Sequence, residues 1–93
     1  MGNQTSERET GTVAVRLYAA AAEAAGTHEL TVTVEHSRLP LTQLIDGLSQ
    51  RGEALERVCA QSSYLLNGTR TKADSGTVSA GDVVDILPPF AGG

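Results

Sequence analysis

Period-two alternation of apolar and polar residues stands near both ends of this 93-residue chain, with one long helical region between. In residues 12–17, Val13, Val15 and Leu17 fall on one side, as a half-buried strand requires. Residues 28–35 repeat the pattern: Leu30, Val32 and Val34 point one way, Glu29, Thr31, Thr33 and Glu35 the other. Residues 83–87 form a last strand, with Val84 and Ile86 toward the core and Asp85 on the exposed face. Asp85 could there meet a basic partner.

Helical and turn signals fill the interval. The alanine-rich residues 18–25 predict a short helix that Gly26 stops. After Pro40, Thr42 is placed to cap a second helix, with Asp46 in its first turn, where the dipole favours negative charge. Leu44, Ile45 and Leu48 share its apolar face, which Leu55, Val58 and Cys59 continue. Gly47 and Gly52 each weaken this helix by about 1 kcal/mol relative to alanine, and Gly52 is expected to split it. Residues 64–66 read as a short strand, and Asn67-Gly68 is a strong hairpin signal because both central residues of a type I′ turn need positive φ. Residues 69–73 give a weak return strand, and residues 79–82, including Asp82, a turn. Strands before and after one main helix predict an α+β fold, a mixed sheet curled over that helix.

Composition removes several function classes. Hydrophobic residues make up 40% and charged residues 19%, a globular mixture, while 3% aromatic content leaves the core to aliphatic side chains. The net charge of −4, with no basic run, argues against nucleic acid and against anionic lipid. Cys59 is the one cysteine, so no intrachain disulfide forms, and it reads as a small core side chain near a helix end. His28 and His36 have no partners at ligand spacing, so no metal site is expected. Glu53 and Glu56 read as a solvated helix face. No apolar run reaches the roughly 18 residues of a membrane span, and the polar start is unlike a secretory signal. A cytoplasmic location is the expectation. Residues 1–11 carry no apolar side chain after Met1 and read as a disordered leader, although Met1-Gly2 through Ser6 formally fits a myristoylation pattern. The domain is expected over residues 12–87, with an extended, flexible tail over 88–93. Its small size leaves little room for a deep catalytic pocket, so a self-contained enzyme is not expected.

The tail itself is the most informative segment. Pro88 and Pro89 cannot donate ladder hydrogen bonds, so they end the last strand and hold the exit extended. Phe90, Ala91, Gly92 and Gly93 follow with no charged side chain. Without Cβ atoms, Gly92 and Gly93 can thread a narrow slot in another protein and deliver the Gly93 α-carboxylate to its active site. Leu87 and Phe90 are the candidate partner interface, as apolar residues beside that end.

These features resemble the β-grasp sulfur-carrier family, which includes the small subunit of molybdopterin synthase and the thiamine-pathway sulfur carrier (MoaD/ThiS-like proteins). The resemblance covers residues 12–93 and rests on Val15-Arg16-Leu17-Tyr18-Ala19, Leu66-Asn67-Gly68, Gly81-Asp82-Val83-Val84 and Pro88-Pro89-Phe90-Ala91-Gly92-Gly93. The double proline and the first helix look closer to the molybdopterin branch. Ile86-Leu87 stands where that branch often has two aromatic residues, and Phe90-Ala91 where smaller or polar residues are common. The resemblance implies a ubiquitin-like β-grasp fold and a Gly93 carboxylate that is adenylated, then converted to a thiocarboxylate. It implies an activating enzyme that uses ATP and Mg²⁺, a persulfide donor on a desulfurase or rhodanese domain, and a large sulfur-accepting subunit. No cofactor is expected on this chain itself. Sulfur carriers for thiamine, cysteine or secondary metabolites, a ubiquitin-like modifier, and a plain β-grasp interaction module are the alternatives.

Overall fold

The computed structural model describes residues 11–35 and 38–89. The elements run β1 (Gly11–Leu17), α1 (Ala20–Ala25), β2 (Glu29–Val34), β3 (Arg38–Pro40), α2 (Leu41–Ser49), α3 (Glu53–Gln61), β4 (Ser63–Leu66), β5 (Thr69–Arg70), β6 (Thr77–Ser79) and β7 (Val83–Leu87). Among the described residues, five strands form one mixed sheet in the order β2-β1-β7-β4-β5, and β3 pairs β6 separately. β7 is the central strand. It runs parallel to β1, with Arg16 beside Asp85 and Leu17 beside Ile86. It runs antiparallel to β4, with Tyr64 beside Ile86 and Ser63 beside Leu87.

The alternation of the strands decides which face is covered. Val13, Val15, Leu17, Val34, Val84 and Ile86 all point to one side and are buried. Leu41, Leu44 and Leu48 of α2, and Leu55 and Cys59 of α3, close the core from the opposite side. At about 25 cal/mol per Å² of apolar area removed from water, this aliphatic layer is the main favourable term.

Gly52 does interrupt the helical region, separating α2 from α3. Glu53 and Glu56 lie exposed in the first turn of α3, where the helix dipole favours them. Two expectations at the start of α2 need correction. The helix begins at Leu41 after Pro40, so Thr42 does not cap it and Asp46 lies beyond its first turn. The Leu41 N–H is satisfied instead by the Gly76 carbonyl at 2.9 Å, a tertiary partner that local sequence does not announce.

The Asn67-Gly68 turn forms as read, with φ of 51° and 86°. The return strand is shorter than expected, ending at Arg70. Thr71 N–H still reaches the Tyr64 carbonyl at 3.0 Å, so the register persists one residue further. The Asn67 side chain ties this turn to the start of β7: its Oδ1 accepts from Val83 N–H at 2.9 Å and its Nδ2 donates to Asp82 at 3.1 Å. Asp82 also accepts from Ser79 N–H at 2.8 Å, so it serves the turn as expected.

Candidate functional site: the exit of the central strand

The site is built where β7 leaves the sheet. Leu87 is the last paired residue, opposite Ser63, and is half-buried on the outer face. Pro88 is buried and Pro89 is exposed. Their rings end the ladder at the middle of the sheet, so the chain departs between β1 and β4 and not from an edge. Phe90, Ala91, Gly92 and Gly93, the candidates for delivery into a partner, lie outside the described residues, as does His36.

Beside this exit lies a polar cluster on the outer face of the sheet. Asp85 is only 5% exposed, which corrects the expectation of a solvated strand face. The parallel register sets Arg16 next to it, and the Arg16 Nε donates to Asp85 Oδ1 at 2.6 Å and Nη2 to Oδ2 at 3.2 Å. Tyr18 adds a hydroxyl donor to Oδ1 at 3.3 Å. The fork-to-fork pairing holds the guanidinium against the carboxylate, and this hydrogen bond with its Coulomb attraction raises the Arg16 pKa above its ordinary value. The Arg16 side chain stays 51% exposed, so its outer N–H edge faces solvent. Tyr18 is the one large exposed hydrophobic side chain among the described residues. Sequence reading named Arg16 and Tyr18 as part of a pattern but not as partners of Asp85, because only strand register joins them.

Cys59 is buried, and burial pushes its thiol pKa up, so it stays protonated near neutral pH and is a poor nucleophile. Its carbonyl accepts a hydrogen bond from the Tyr64 hydroxyl. Burial, then the neighbouring Cys59, pushes the Tyr64 pKa up to about 12. An open groove of about 690 Å³ runs past this pair, bounded by Ile45, Ser63, Arg70 and Lys72 among others. Among the described residues no group of three acidic, His or Cys side chains could hold a metal ion. No helix there is long and apolar enough to cross a membrane.

A central strand shared between a parallel and an antiparallel neighbour, helices on one face only, and an exit beside that strand define a ubiquitin-like β-grasp protein. Solved structures agree on the fold. SAMP1 from Haloferax volcanii superposes with a TM-score of 0.72 at 28% identity, covering 89% of this chain and 100% of that one. A Pyrococcus furiosus protein assigned as molybdopterin converting factor subunit 1 gives 0.73 at 23% identity, covering 86% and 99%. A chain of the complex of subunits 1 and 2 of the molybdopterin-converting factor from Helicobacter pylori gives 0.63 at 23%, covering 88% and 99%. No curated protein sequence matches the chain. The ThiS family model matches residues 15–93, and the chain belongs to that family. It is thus a small protein of the sulfur-carrier or ubiquitin-like modifier kind.

Proposed function

We propose that this chain is a sulfur carrier whose working group is the Gly93 carboxylate. The observation that carries the reading is the family match running through residue 93, on a fold whose central strand leads directly into that tail. An activating enzyme with ATP and Mg²⁺ joins the carboxylate to AMP, releasing pyrophosphate. A persulfide donor then displaces AMP, and a thiol reductant frees the thiocarboxylate. The adenylate supplies a good leaving group, and the thiocarboxylate is a soft nucleophile on a tail without bulky end residues. Gly92, Ala91, Phe90, Pro89 and Pro88 are the segment that would enter a partner, with Leu87 and Phe90 in the docking surface.

The acceptor we favour is the dithiolene of molybdopterin, made with a large partner subunit. The double proline supports this branch, as does the likeness to one part of the two-subunit Helicobacter pylori complex. We expect the reaction in the cytoplasm, where ATP is available. A second reading is a protein modifier, favoured by the likeness to small archaeal modifier protein 1 of Haloferax volcanii at 25% identity. One experiment separates them. The protein is incubated with a candidate activating enzyme, ATP, Mg²⁺ and a persulfide source, and its intact mass is read. Replacement of one oxygen by sulfur on the C-terminal peptide supports the carrier. Lysine adducts on other proteins in cells, without sulfur gain, support the modifier. An unchanged protein under conditions that load a known carrier rejects both.

A further inference from the structure

β2 is an outer strand of the sheet: among the described residues it pairs with β1 and has no strand on its other side. The register shows what that free side offers. Leu17 N–H donates to the His28 carbonyl at 2.9 Å, which fixes the phase of the ladder. Alternation then turns the backbone groups of Leu30, Val32 and Val34 toward β1, opposite Val15, Val13 and Gly11. Those of Glu29, Thr31 and Thr33 face away. The Thr27 hydroxyl takes the Glu29 groups, accepting from its N–H at 3.4 Å and donating to its carbonyl at 3.2 Å. The N–H and C=O of Thr31 and Thr33 have no hydrogen-bond partner among the described residues.

The devices that usually blunt an edge are missing from this strand. Its 6 residues include no proline, glycine or lysine. Leu30 and Val32 pack toward the core but stay half-buried, so an apolar strip lies open along the edge. On the outer face Thr31 and Thr33 are flanked by Glu29 and Glu35, all four exposed. Arg16 stands opposite Glu29, but its guanidinium is taken by Asp85. Among the described residues neither Glu29 nor Glu35 forms a salt bridge. Glu23, on the rim of an open groove of about 460 Å³ that His28 also lines, adds a third carboxylate near the start of the strand.

We propose that this edge of β2 is a docking site for an extended, basic segment of another protein, which adds a strand to the five-stranded sheet. Thr31 and Thr33 supply the main-chain hydrogen bonds. Aliphatic side chains at alternate positions of the segment continue the strip of Leu30 and Val32. Lysine or arginine near its two ends faces Glu29 and Glu35, which lie about 20 Å apart along the strand. A second copy of this chain is a poor occupant. Antiparallel pairing of two β2 strands centred on Val32 sets Glu29 opposite Glu35 at both ends, and like charges directly opposite are destabilising. The site lies beyond β1 from the central strand, so it does not depend on the activation of Gly93.

The test uses the full chain, labelled with nitrogen-15, and an acetylated peptide Lys-Val-Thr-Val-Thr-Val-Lys. Binding should be saturable, shift the Thr31 and Thr33 amide signals and slow their hydrogen exchange at least about tenfold. The amides of Thr69 and Arg70 in β5, at the opposite edge, should not change. The same peptide with glutamate for lysine should bind at least about tenfold more weakly. Glu29→Gln with Glu35→Gln should weaken binding of the lysine peptide by about fivefold to tenfold, and raised salt should act likewise. Thr31→Pro removes an outward N–H and leaves the β1 ladder intact, so it should abolish binding while circular dichroism stays unchanged. The glutamine pair leaves the backbone alone and decides the matter should the proline variant not fold. Binding at β5, equal affinity for the glutamate peptide, unchanged exchange at Thr31 and Thr33, or a dimer of the free chain through β2 would overturn the proposal.

Discussion

Gly76→Ala tests how the loop carrying Lys72 is fastened to the core. Gly76 accepts the Leu41 N–H through its carbonyl, and its own N–H donates to the Lys72 carbonyl at 3.1 Å. A Cβ at this position would lie 2.7 Å from Thr71 Cγ2, 3.1 Å from Leu41 Cδ2 and 3.3 Å from Leu41 Cβ. The first contact is too short and the other two are tight, so Thr71 or the loop must shift. Overpacking of this kind costs about 1–3 kcal/mol. Alanine also restricts the unfolded chain, which returns about 0.4–1 kcal/mol. The net expectation is a loss of about 1–2 kcal/mol, or a Tm lower by roughly 5–15 °C for a domain of this size. Thr71→Ser removes the nearest carbon and keeps the hydroxyl that donates to the Thr69 carbonyl at 2.8 Å. The double variant should therefore recover about 0.5–1 kcal/mol, a non-additivity measured by urea unfolding of all four proteins. Equal stability of Gly76→Ala and the parent, or strict additivity with Thr71→Ser, would refute the steric account.

Three further outcomes are expected. Ala19 adopts φ 51° and ψ −124°, a backbone conformation suited to glycine, in a turn closed by Ala21 N–H to the Tyr18 carbonyl at 2.9 Å. Ala19→Gly should thus stabilise the domain by about 1 kcal/mol in thermal melts, and a loss of stability would contradict the strain. The Tyr64 hydroxyl is favoured in its neutral form by the fold, with a pKa raised to about 12. The stability this contributes is fully present below the unfolded tyrosine value near about 10 and is lost as pH rises through the folded value. Tyr64→Phe should flatten the alkaline fall in stability over that window and cost about 1 kcal/mol at neutral pH, since Ser62 N–H still serves the Cys59 carbonyl. Deleting Gly93, or adding one residue after it, should abolish sulfur gain by mass spectrometry without changing the melting temperature; a truncated chain that still gains sulfur would sink the carrier mechanism.

The sequence was legible where local chemistry and tertiary structure agree. Val83 to Leu87 could be read to the residue, because alternation starts after a turn and ends at a proline pair. The Asn67-Gly68 turn was equally clear, since positive φ is written into those residue types. β3 and β6 escaped: each has three residues and one inward side chain, Leu39 or Val78, too few to show a period. The start of α2 was misplaced because its first N–H is capped from residue 76. Asp85 was put on the correct face but in the wrong environment, since pointing away from the core is not the same as reaching water. Its cover comes from Arg16, 69 positions earlier in the chain. For the candidate site, the exit and its prolines followed from residue order, whereas the Arg16–Asp85–Tyr18 cluster depended on strand order.

The central position of β7 has a mechanical consequence. A tail gripped by another protein and drawn out pulls along the axis of β7. That strand is held on both sides, by β1 in parallel and by β4 in antiparallel pairing. Its ladder hydrogen bonds lie across the direction of pull, so they are loaded together in shear and cannot be peeled one at a time from a free edge. Force on the tail is thereby spread over the whole strand and the aliphatic layer beneath it. On the proposed carrier reading, a partner that pulled on the tail would therefore leave the domain to which it is anchored folded.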